Sequence, residues 1–241
     1  MAALLEVTNV SKNFSGLRAV ADVSFKVPDG SIFAVIGPNG AGKTTLFNLI
    51  AGMMAPDEGR IAFVGARIDR LPPDEVCRRG IGRTFQIVRP FPALSVEDNV
   101  AIGALLRHPR PPEAIRRAHE ILRRLDLFDK RRSLAGALTL PDRKRLEVAR
   151  ALATEPKLLL LDEVMAGLRP TETDRMVDIL KKLNSESGLT ILLIEHVMRA
   201  VMSVATRVLV LHHGAAIAEG APKAVVREPA VVQSYLGAEA V

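Results

Sequence analysis

Apolar residues along this chain form short continuous runs separated by longer stretches with helical spacing. The short runs are rich in Ile, Leu and Val, which is typical of strands buried on both faces of a parallel sheet. They are residues 32–36, 158–161, 190–194 and 208–211. Between two of them, Met176, Leu180 and Leu183 lie on one face of a predicted helix. This alternation predicts an α/β protein in which helices cover both faces of a parallel sheet.

Two regions depart from this alternation. Near the start of the chain, shorter runs flanked by turn residues predict antiparallel strands at residues 4–10, 23–27, 60–64 and 67–68. From about Pro90 the pattern becomes helical, with a capping sequence at residues 95–98 and an apolar stripe over residues 115–125. We therefore predict a single domain over residues 1–241. Its core and antiparallel β subdomain occupy residues 1–89 and 153–241, and residues 90–152 form an inserted α-helical subdomain.

A glycine-rich segment follows the strand predicted at residues 32–36 and precedes a predicted helix. Its sequence, Gly37-Pro38-Asn39-Gly40-Ala41-Gly42-Lys43-Thr44, fits the pattern G-x-x-x-x-G-K-[ST] of a phosphate-binding P-loop. The start of a helix carries unpaired N–H groups and the positive end of the helix dipole, so it attracts phosphate. Lys43 would contact the β- and γ-phosphates, and the Thr44 hydroxyl would bind Mg²⁺. The segment predicts a P-loop NTPase (RecA-like) core, with Thr45 completing the nucleotide contacts.

Two adjacent carboxylates, Asp162 and Glu163, follow the strand predicted at residues 158–161. Ligands are expected at the carboxyl edge of a parallel sheet. Successive residues of a strand point in different directions, so the two acids can serve different roles. Asp162 would reach Mg²⁺, and Glu163 would orient the attacking water. The alternative interpretation, a helix-capping or solvated pair, is disfavoured by the P-loop upstream.

Composition narrows the classes of partner. The formal net charge is +6, but the arginines are scattered, Trp is absent and Tyr occurs once, so base-stacking platforms are not indicated and we predict no nucleic-acid partner. Cys77 is the single cysteine, which excludes an intrachain disulfide and fits a reducing cytosol. No apolar run approaches the ~20 residues of a membrane span, and the first ten residues do not resemble a signal peptide. We therefore expect any membrane role to act through other subunits.

The order of these motifs resembles that of the ATP-binding subunits of ABC transporters, over nearly the whole length. The resemblance rests on the P-loop, Gln86, the helical insert, the Asp162–Glu163 pair and His196. It implies that Gln86 senses the γ-phosphate and Mg²⁺, and that His196 holds the γ-phosphate and Glu163 in register. It also implies that Phe14, in a loop before Val20, stacks on adenine and that Val20 contacts the nucleotide. Residues 166–168 match the D-loop, which would contact an opposing subunit.

One segment departs from the family. Where Leu-Ser-Gly-Gly-Gln is usual, this chain has Leu138-Thr139-Leu140-Pro141-Asp142, although residues 143–152 read as the expected signature helix. Thr139 still offers a hydroxyl to the γ-phosphate of ATP held by a partner, whereas Pro141 has no N–H to donate and Asp142 would repel phosphate. Thr139 and Asp142 are also expected to cap the helix. A further departure is Val164, where proline is common. We expect the composite ATP site completed by this segment to be altered.

A narrower resemblance is to the ATP-binding subunits of bacterial branched-chain amino acid importers. It rests on Arg83-Thr84-Phe85-Gln86, on the segment that runs to Asn99, and on the tail Tyr235-Leu236-Gly237. It implies an ATPase that uses ATP and Mg²⁺ at the cytoplasmic face of the bacterial inner membrane. The implied partners are a second ATP-binding subunit, two transmembrane permeases and, indirectly, a solute-binding protein. A heterodimer is favoured over a homodimer, because importers of this group usually pair two different ATP-binding subunits, and the altered signature segment suits such a pair.

Other functions stay open. Closely similar subunits serve urea or amide import and lipopolysaccharide export, and no residue here is expected to touch the solute. A soluble ABC ATPase usually carries a coiled insert or a second ATPase module, and neither is present. A structural subunit that binds ATP without turnover is disfavoured by the intact Lys43, Asp162, Glu163 and His196. A P-loop kinase or GTPase would leave Gln86 and the signature helix unexplained.

Overall fold

The computed structural model describes residues 3–85 and 90–236. They form two compact units. The first unit comprises the described residues up to Val76 and from Thr190 onward, and the second comprises those between Cys77 and Leu189. Mixed α/β structure with parallel and antiparallel pairing is found, as the hydrophobic pattern predicts.

The strands and helices have the following bounds. The strands are β1 (Ala3–Phe14), β2 (Leu17–Pro28), β3 (Ile32–Ile36), β4 (Glu58–Phe63), β5 (Ala66–Arg67), β6 (Ile81–Arg83), β7 (Leu158–Asp162), β8 (Thr190–Ile194), β9 (Arg207–His212) and β10 (Ala215–Gly220). The helices are α1 (Lys43–Ile50), α2 (Pro73–Arg78), α3 (Val96–Ala104), α4 (Pro111–Arg124), α5 (Leu140–Leu152), α6 (Pro170–Ser187), α7 (Met198–Val204), α8 (Pro222–Val225) and α9 (Pro229–Leu236). Short 3-10 turns lie at Phe128–Lys130 and Ala135–Ala137.

In the first unit, β3 is the central strand of the parallel part. It pairs in parallel with β8 on one side and β9 on the other, and β10 adds antiparallel to β9. Every residue of β3 and of β8 is buried, which confirms the prediction of strands covered on both faces. The segment that follows β3 is therefore held at the carboxyl edge of this sheet, where α1 begins.

The antiparallel sheet of the first unit has the order β2-β1-β4-β5. The strands predicted at residues 4–10 and 23–27 are parts of two longer strands that form a hairpin. Pairing continues through Lys12 with Val20, Asn13 with Arg18 and Phe14 with Leu17. Phe14 therefore ends β1, and the prediction that it lies in a loop is wrong. The ladder extends to exposed residues such as Phe14 and Leu17 because its hydrogen bonds join backbone groups and do not require buried side chains.

In the second unit, β6 pairs in parallel with β7, and helices α3, α4 and α5 lie within the region predicted as a helical insert. The predicted cap is confirmed, since Ser95 Oγ accepts a hydrogen bond of 3.0 Å from the Asp98 N–H. Helix α4 begins at Pro111. Proline is tolerated at this position because the N–H groups of a first turn have no partner within the helix. The boundaries 90 and 152 of the insert stay a prediction. Across the described ranges, no helix is both long and apolar enough to cross a bilayer.

Candidate nucleotide-binding and catalytic site

The P-loop of the first unit has a backbone that only glycine allows at two positions. Gly37 and Gly42 have φ of 147° and 97°, in the region that disfavours side chains. A Cβ on Gly37 would lie 2.1 Å from the Leu211 carbonyl oxygen, and one on Gly42 would lie 2.2 Å from the Ala19 carbonyl oxygen. The loop is therefore packed tightly against neighbouring backbone, which fixes the direction of its N–H groups.

Lys43 is the first residue of α1 and is buried. Its Nζ donates hydrogen bonds of 2.8 Å to the carbonyl oxygens of Gly37 and Pro38, so the ammonium group lies against the loop backbone. The helix has a left-handed Gly42 as its N-cap, no side-chain cap and no acidic residue in its first turn. Its positive end is therefore not neutralised by the chain itself, as a phosphate site requires.

Two segments to which the sequence analysis gave no role in phosphate binding contact the backbone of this loop. The Gly214 N–H donates to the Ala41 carbonyl at 3.1 Å, and the Ala21 N–H donates to the Gly214 carbonyl at 2.9 Å. Tyr235, on α9, accepts a hydrogen bond from the backbone of Gly37, and burial raises the pKa of its phenol. Of these residues, only Tyr235 was noted in the sequence, where the tail resembles that of branched-chain amino acid importer subunits.

Three further predicted residues of the first unit have different exposures. Phe14 is 42% exposed, which leaves its ring accessible for stacking. Val20 is fully buried, so its predicted contact with a nucleotide would need a movement that exposes it. His196 is exposed just after β8, before α7 begins. The roles of these residues stay predictions.

Asp162 ends β7 in the second unit and is 1% exposed. Burial raises the pKa of this carboxyl above its usual range, and the Arg83 guanidinium beside it opposes the rise. Among the described residues, Oδ1 of Asp162 has no hydrogen-bond partner, whereas Oδ2 lies 3.3 Å from a terminal nitrogen of Arg83. A buried carboxylate oxygen of this kind fits a hard divalent cation such as Mg²⁺. In the part of the chain that the structure describes, no cluster of three or more His, Cys, Asp or Glu residues could hold a metal, so nucleotide oxygens and water would complete the coordination.

Glu163 has a left-handed backbone, with φ of 51°. This conformation is uncommon for a residue with a side chain and occurs in turns as well as at functional sites. Its carbonyl accepts hydrogen bonds from the Lys144 ammonium at 2.9 Å and from the Ala166 N–H at 3.2 Å. Lys144 belongs to α5, so the signature helix holds the residue predicted to orient water. Gln86, the other predicted γ-phosphate sensor, lies outside the described residues.

The signature segment corrects one expectation. Thr139 occupies the N-cap position of α5 without a side-chain cap, because its hydroxyl donates to Asp142 Oδ2 at 2.9 Å. Asp142 is 2% exposed and also pairs with Lys130 and Arg145. We call these four residues the Asp142 cluster. Its acid is buried and its charge is compensated within the second unit, whereas the repulsion of a phosphate by Asp142 stays a prediction. The expected cap is wrong for Thr139.

The predicted Mg²⁺ ligands Thr44 and Asp162 belong to different units, so their binding of one shared ion stays a prediction. Each unit on its own has features that are typical of the same class of protein. The first presents a phosphate loop at the carboxyl edge of parallel strands, and the second presents a buried acid followed by a strained glutamate. Together with the α/β fold, these features define a nucleotide-binding protein of the P-loop class.

Comparisons with known proteins identify the family. The sequence matches the ABC transporter family over residues 20–166. It is 38% identical to the high-affinity branched-chain amino acid transport ATP-binding protein BraF of Pseudomonas aeruginosa, and 36% identical to LivG of Escherichia coli, covering 97% of this chain and 98% of each relative. A solved ATP-binding cassette of an ABC transporter in its ADP conformation superposes with a TM-score of 0.89 at 33% identity, covering 98% of this chain and all of that one. The chain belongs to the ABC transporter ATP-binding family, whose members are ATPases.

Proposed function

We propose that this chain is the ATP-hydrolysing subunit of an ABC importer for branched-chain or other hydrophobic amino acids. The observation that carries the proposal is its similarity, along nearly the full length, to two proteins named for that transport. The chain would lie at the cytoplasmic face of a bacterial inner membrane, bound there through permease subunits.

In the proposed reaction the P-loop binds the phosphates of ATP. Its N–H groups and the start of α1 would bind the phosphate oxygens, and Lys43 would neutralise charge on the β- and γ-phosphates. Thr44 and Asp162 would hold Mg²⁺, which when bound neutralises the developing charge on the transferred phosphoryl group. Phe14 would stack on the adenine.

Hydrolysis requires that one water be held in line with the γ-phosphate. Glu163 is suited to orient this water and to accept its proton, because its strained backbone and the contact with Lys144 hold it at the end of β7. His196 and Gln86 would contact the γ-phosphate. The bond between the γ-phosphorus and the bridging oxygen of ATP then breaks as the water oxygen bonds to phosphorus, ADP leaves, and Glu163 takes the proton of the water.

The Asp142 cluster supports pairing with a different ATP-binding subunit. The Thr139 hydroxyl, which the family would direct at the ATP of a partner, donates to Asp142 instead. A γ-phosphate would have to compete with this buried acceptor. We therefore propose that the composite site completed by this segment is the weaker site of a heterodimer, and that the site containing this chain's P-loop is completed by the partner.

An exposed apolar patch at the C-terminal end of α3 and directly after it supports the permease contact. Ile102, Leu105 and Leu106 follow helical spacing and are each exposed by more than a third. Neighbouring exposed residues in the second unit are Phe91, Leu94 and Leu134. Apolar side chains at this density are typical of a protein interface.

The partner composition tests the transport assignment. The tagged chain, expressed in its native host, is purified from detergent-solubilised membranes and its partners are identified by mass spectrometry. We expect a second, different ATP-binding subunit and two permeases, and leucine uptake that is lost when the gene is deleted. Recovery of urea permeases, of lipopolysaccharide export components or of no membrane protein would replace the amino acid importer by that alternative.

The variant Glu163→Gln tests the hydrolytic role. It keeps the shape of the side chain but removes the base, so we expect turnover of the purified complex to fall by at least about 100-fold while ATP affinity stays within about 3-fold. Phosphate release and equilibrium binding of a fluorescent ATP analogue measure the two quantities. Unchanged turnover would remove Glu163 from the mechanism.

A further inference from the structure

Arg83, the last residue of β6, is the charged neighbour of Asp162. The two side chains are 10% and 2% exposed, and their contact of 3.3 Å joins one guanidinium nitrogen to Oδ2. Both residues belong to the second unit, where β6 and β7 pair in parallel and Arg83 lies opposite Leu160. The contact therefore joins two adjacent strand ends and does not depend on a surface side chain.

The residues after Arg83 also contact the end of β7. The Thr84 N–H donates to the Leu160 carbonyl at 2.9 Å, and Thr84 Oγ1 accepts from the Asp162 N–H at 3.1 Å. The Phe85 ring centroid lies 5.5 Å from the Arg83 guanidinium carbon, within the range of a cation–π contact. Residues 83–85 thus fix both the backbone and the side chain of Asp162, and Phe85 helps to fix the guanidinium.

The contact involves only one of the two carboxylate oxygens. Arginine can bind a carboxylate through both oxygens, in the bidentate arrangement that would satisfy the whole group. Here Oδ2 faces Arg83, and Oδ1 has no hydrogen-bond partner within the described ranges. The guanidinium therefore orients the carboxylate and leaves one oxygen for another ligand.

We propose that Arg83 is a positioning residue that holds Asp162 by Oδ2 so that Oδ1 binds the divalent cation accompanying ATP. This inference rests on the proposed function, because it assumes that the cation binds with the nucleotide. Groups that orient a metal ligand in this way contribute strongly, since their mutation typically weakens metal binding by about 10–100-fold. Arg83 itself does not touch the cation.

The opposite effect of Arg83 on cation binding is also physically possible, so the direction of the change in cation affinity distinguishes the two mechanisms. If the guanidinium acted only as a competing positive charge, its removal would tighten cation binding. If it acts by orientation, its removal weakens cation binding even though a positive charge is lost. Binding of Mn²⁺, which substitutes for Mg²⁺ and is detected by electron paramagnetic resonance, separates the two.

The experiment compares Arg83→Met, Arg83→Lys and the exposed control Arg79→Met in the full chain, with a non-hydrolysable ATP analogue. For Arg83→Met we expect the Mn²⁺ Kd to rise about 10-fold while the analogue's Kd in EDTA stays within about 2-fold. Arg83→Lys keeps the charge and should recover most of the loss, and Arg79→Met should match the wild type. A Mn²⁺ Kd that is unchanged or lower in Arg83→Met overturns the inference.

A double-mutant cycle keeps the inference testable if Arg83→Met is poorly folded. Melting temperatures are measured in EDTA, without nucleotide, for Arg83→Met, Asp162→Asn and the double variant. We expect Arg83→Met to lower the melting temperature much less in the Asp162→Asn background than in the wild type, because the two residues act through one contact. Equal losses in both backgrounds overturn it. A wild-type chain that binds no ATP analogue would instead contradict the proposed function.

Discussion

The Asp142 cluster gives the sharpest stability prediction. Replacing Asp142 by Ala removes the acceptor shared by Thr139, Lys130 and Arg145. The two cations are in different environments, since the Arg145 side chain is 11% exposed and the Lys130 side chain is 50% exposed. The loss of Asp142 therefore removes the closest carboxylate from a nearly buried guanidinium, which keeps only Asp126 at 4.0 Å and long backbone contacts, while Lys130 turns to water.

The magnitude follows from this difference. An ion pair to an exposed cation contributes about 0–1 kcal/mol, whereas removal of one partner of a buried pair costs about 3–5 kcal/mol. We expect Asp142→Ala to lower the free energy of unfolding by about 3 kcal/mol or more, which for a chain of this size lowers the melting temperature by roughly 10 °C. Lys130→Met should cost no more than about 1 kcal/mol.

The same cluster predicts a pH dependence. Burial raises the pKa of Asp142, but hydrogen bonds from Lys130, Thr139 and Arg145 lower it by more, so the folded value lies below the usual 3.8. A depressed carboxyl pKa stabilises the fold above the unfolded pKa, and this stability is lost as the pH falls through the folded pKa. The difference between wild type and Asp142→Asn should therefore be constant near neutral pH and shrink below about pH 4.

Urea and thermal unfolding of the purified chain measure these effects, with Lys130→Met as the matched control. The double variant Asp142→Ala, Arg145→Met should recover part of the loss, because removal of both charges leaves no buried ion without a partner. The reasoning is refuted if Asp142→Ala is as stable as the wild type, or if Lys130→Met costs as much.

Three further predictions concern the P-loop and the permease contact. Gly42→Ala should lower ATP affinity at least about 10-fold in equilibrium binding, because a Cβ would lie 2.2 Å from the Ala19 carbonyl and φ is 97°; wild-type affinity would show that the loop adjusts. Tyr235→Phe removes the acceptor for Gly37 and should cost about 1 kcal/mol in thermal unfolding, with no loss expected if water replaces the hydroxyl. Ile102→Glu should abolish co-purification of the permeases while ATP binding by the isolated chain is unchanged; retained permeases would place their contact elsewhere.

The sequence predicts the buried strands well because their signal is local. Each fully buried run, such as residues 158–161, becomes a strand within one residue of its predicted bounds. The outer ends of β1 and β2 escape prediction because they mix polar and apolar residues without a regular alternation and are fixed by pairing with each other. β6 escapes as well, since Ile81-Gly82-Arg83 is too short to show a period and forms only by pairing with β7.

The candidate site also combines residues that a local sequence pattern identifies with residues that only the fold brings together. The P-loop is recognisable because its chemistry depends on adjacent residues with fixed spacing. The partners of Asp162 and Asp142 are not recognisable, because Arg83 lies 79 positions from Asp162 and Lys130 lies 12 positions from Asp142, and only the fold brings them together. The charge of one residue in the sequence therefore does not predict whether that residue repels a phosphate, because a residue on another element can supply the opposite charge.

The polar residues of the altered signature segment contact one another, and these contacts affect how the proposed heterodimer would work. Asp142 is compensated by Arg145, the Thr139 hydroxyl is satisfied by Asp142, and Pro141 lies in the first turn of α5, where its missing N–H costs no helical hydrogen bond. Arg145 Nε is buried without a hydrogen-bond partner among the described residues, but the Thr139 hydroxyl and both carboxylate oxygens of Asp142 are paired. The Asp142 cluster therefore has the properties of a stable alternative structure. Restoring glutamine at position 142 alone would take from Arg145 its closest carboxylate, so a composite site built on this segment differs from the family's in structure as well as in sequence.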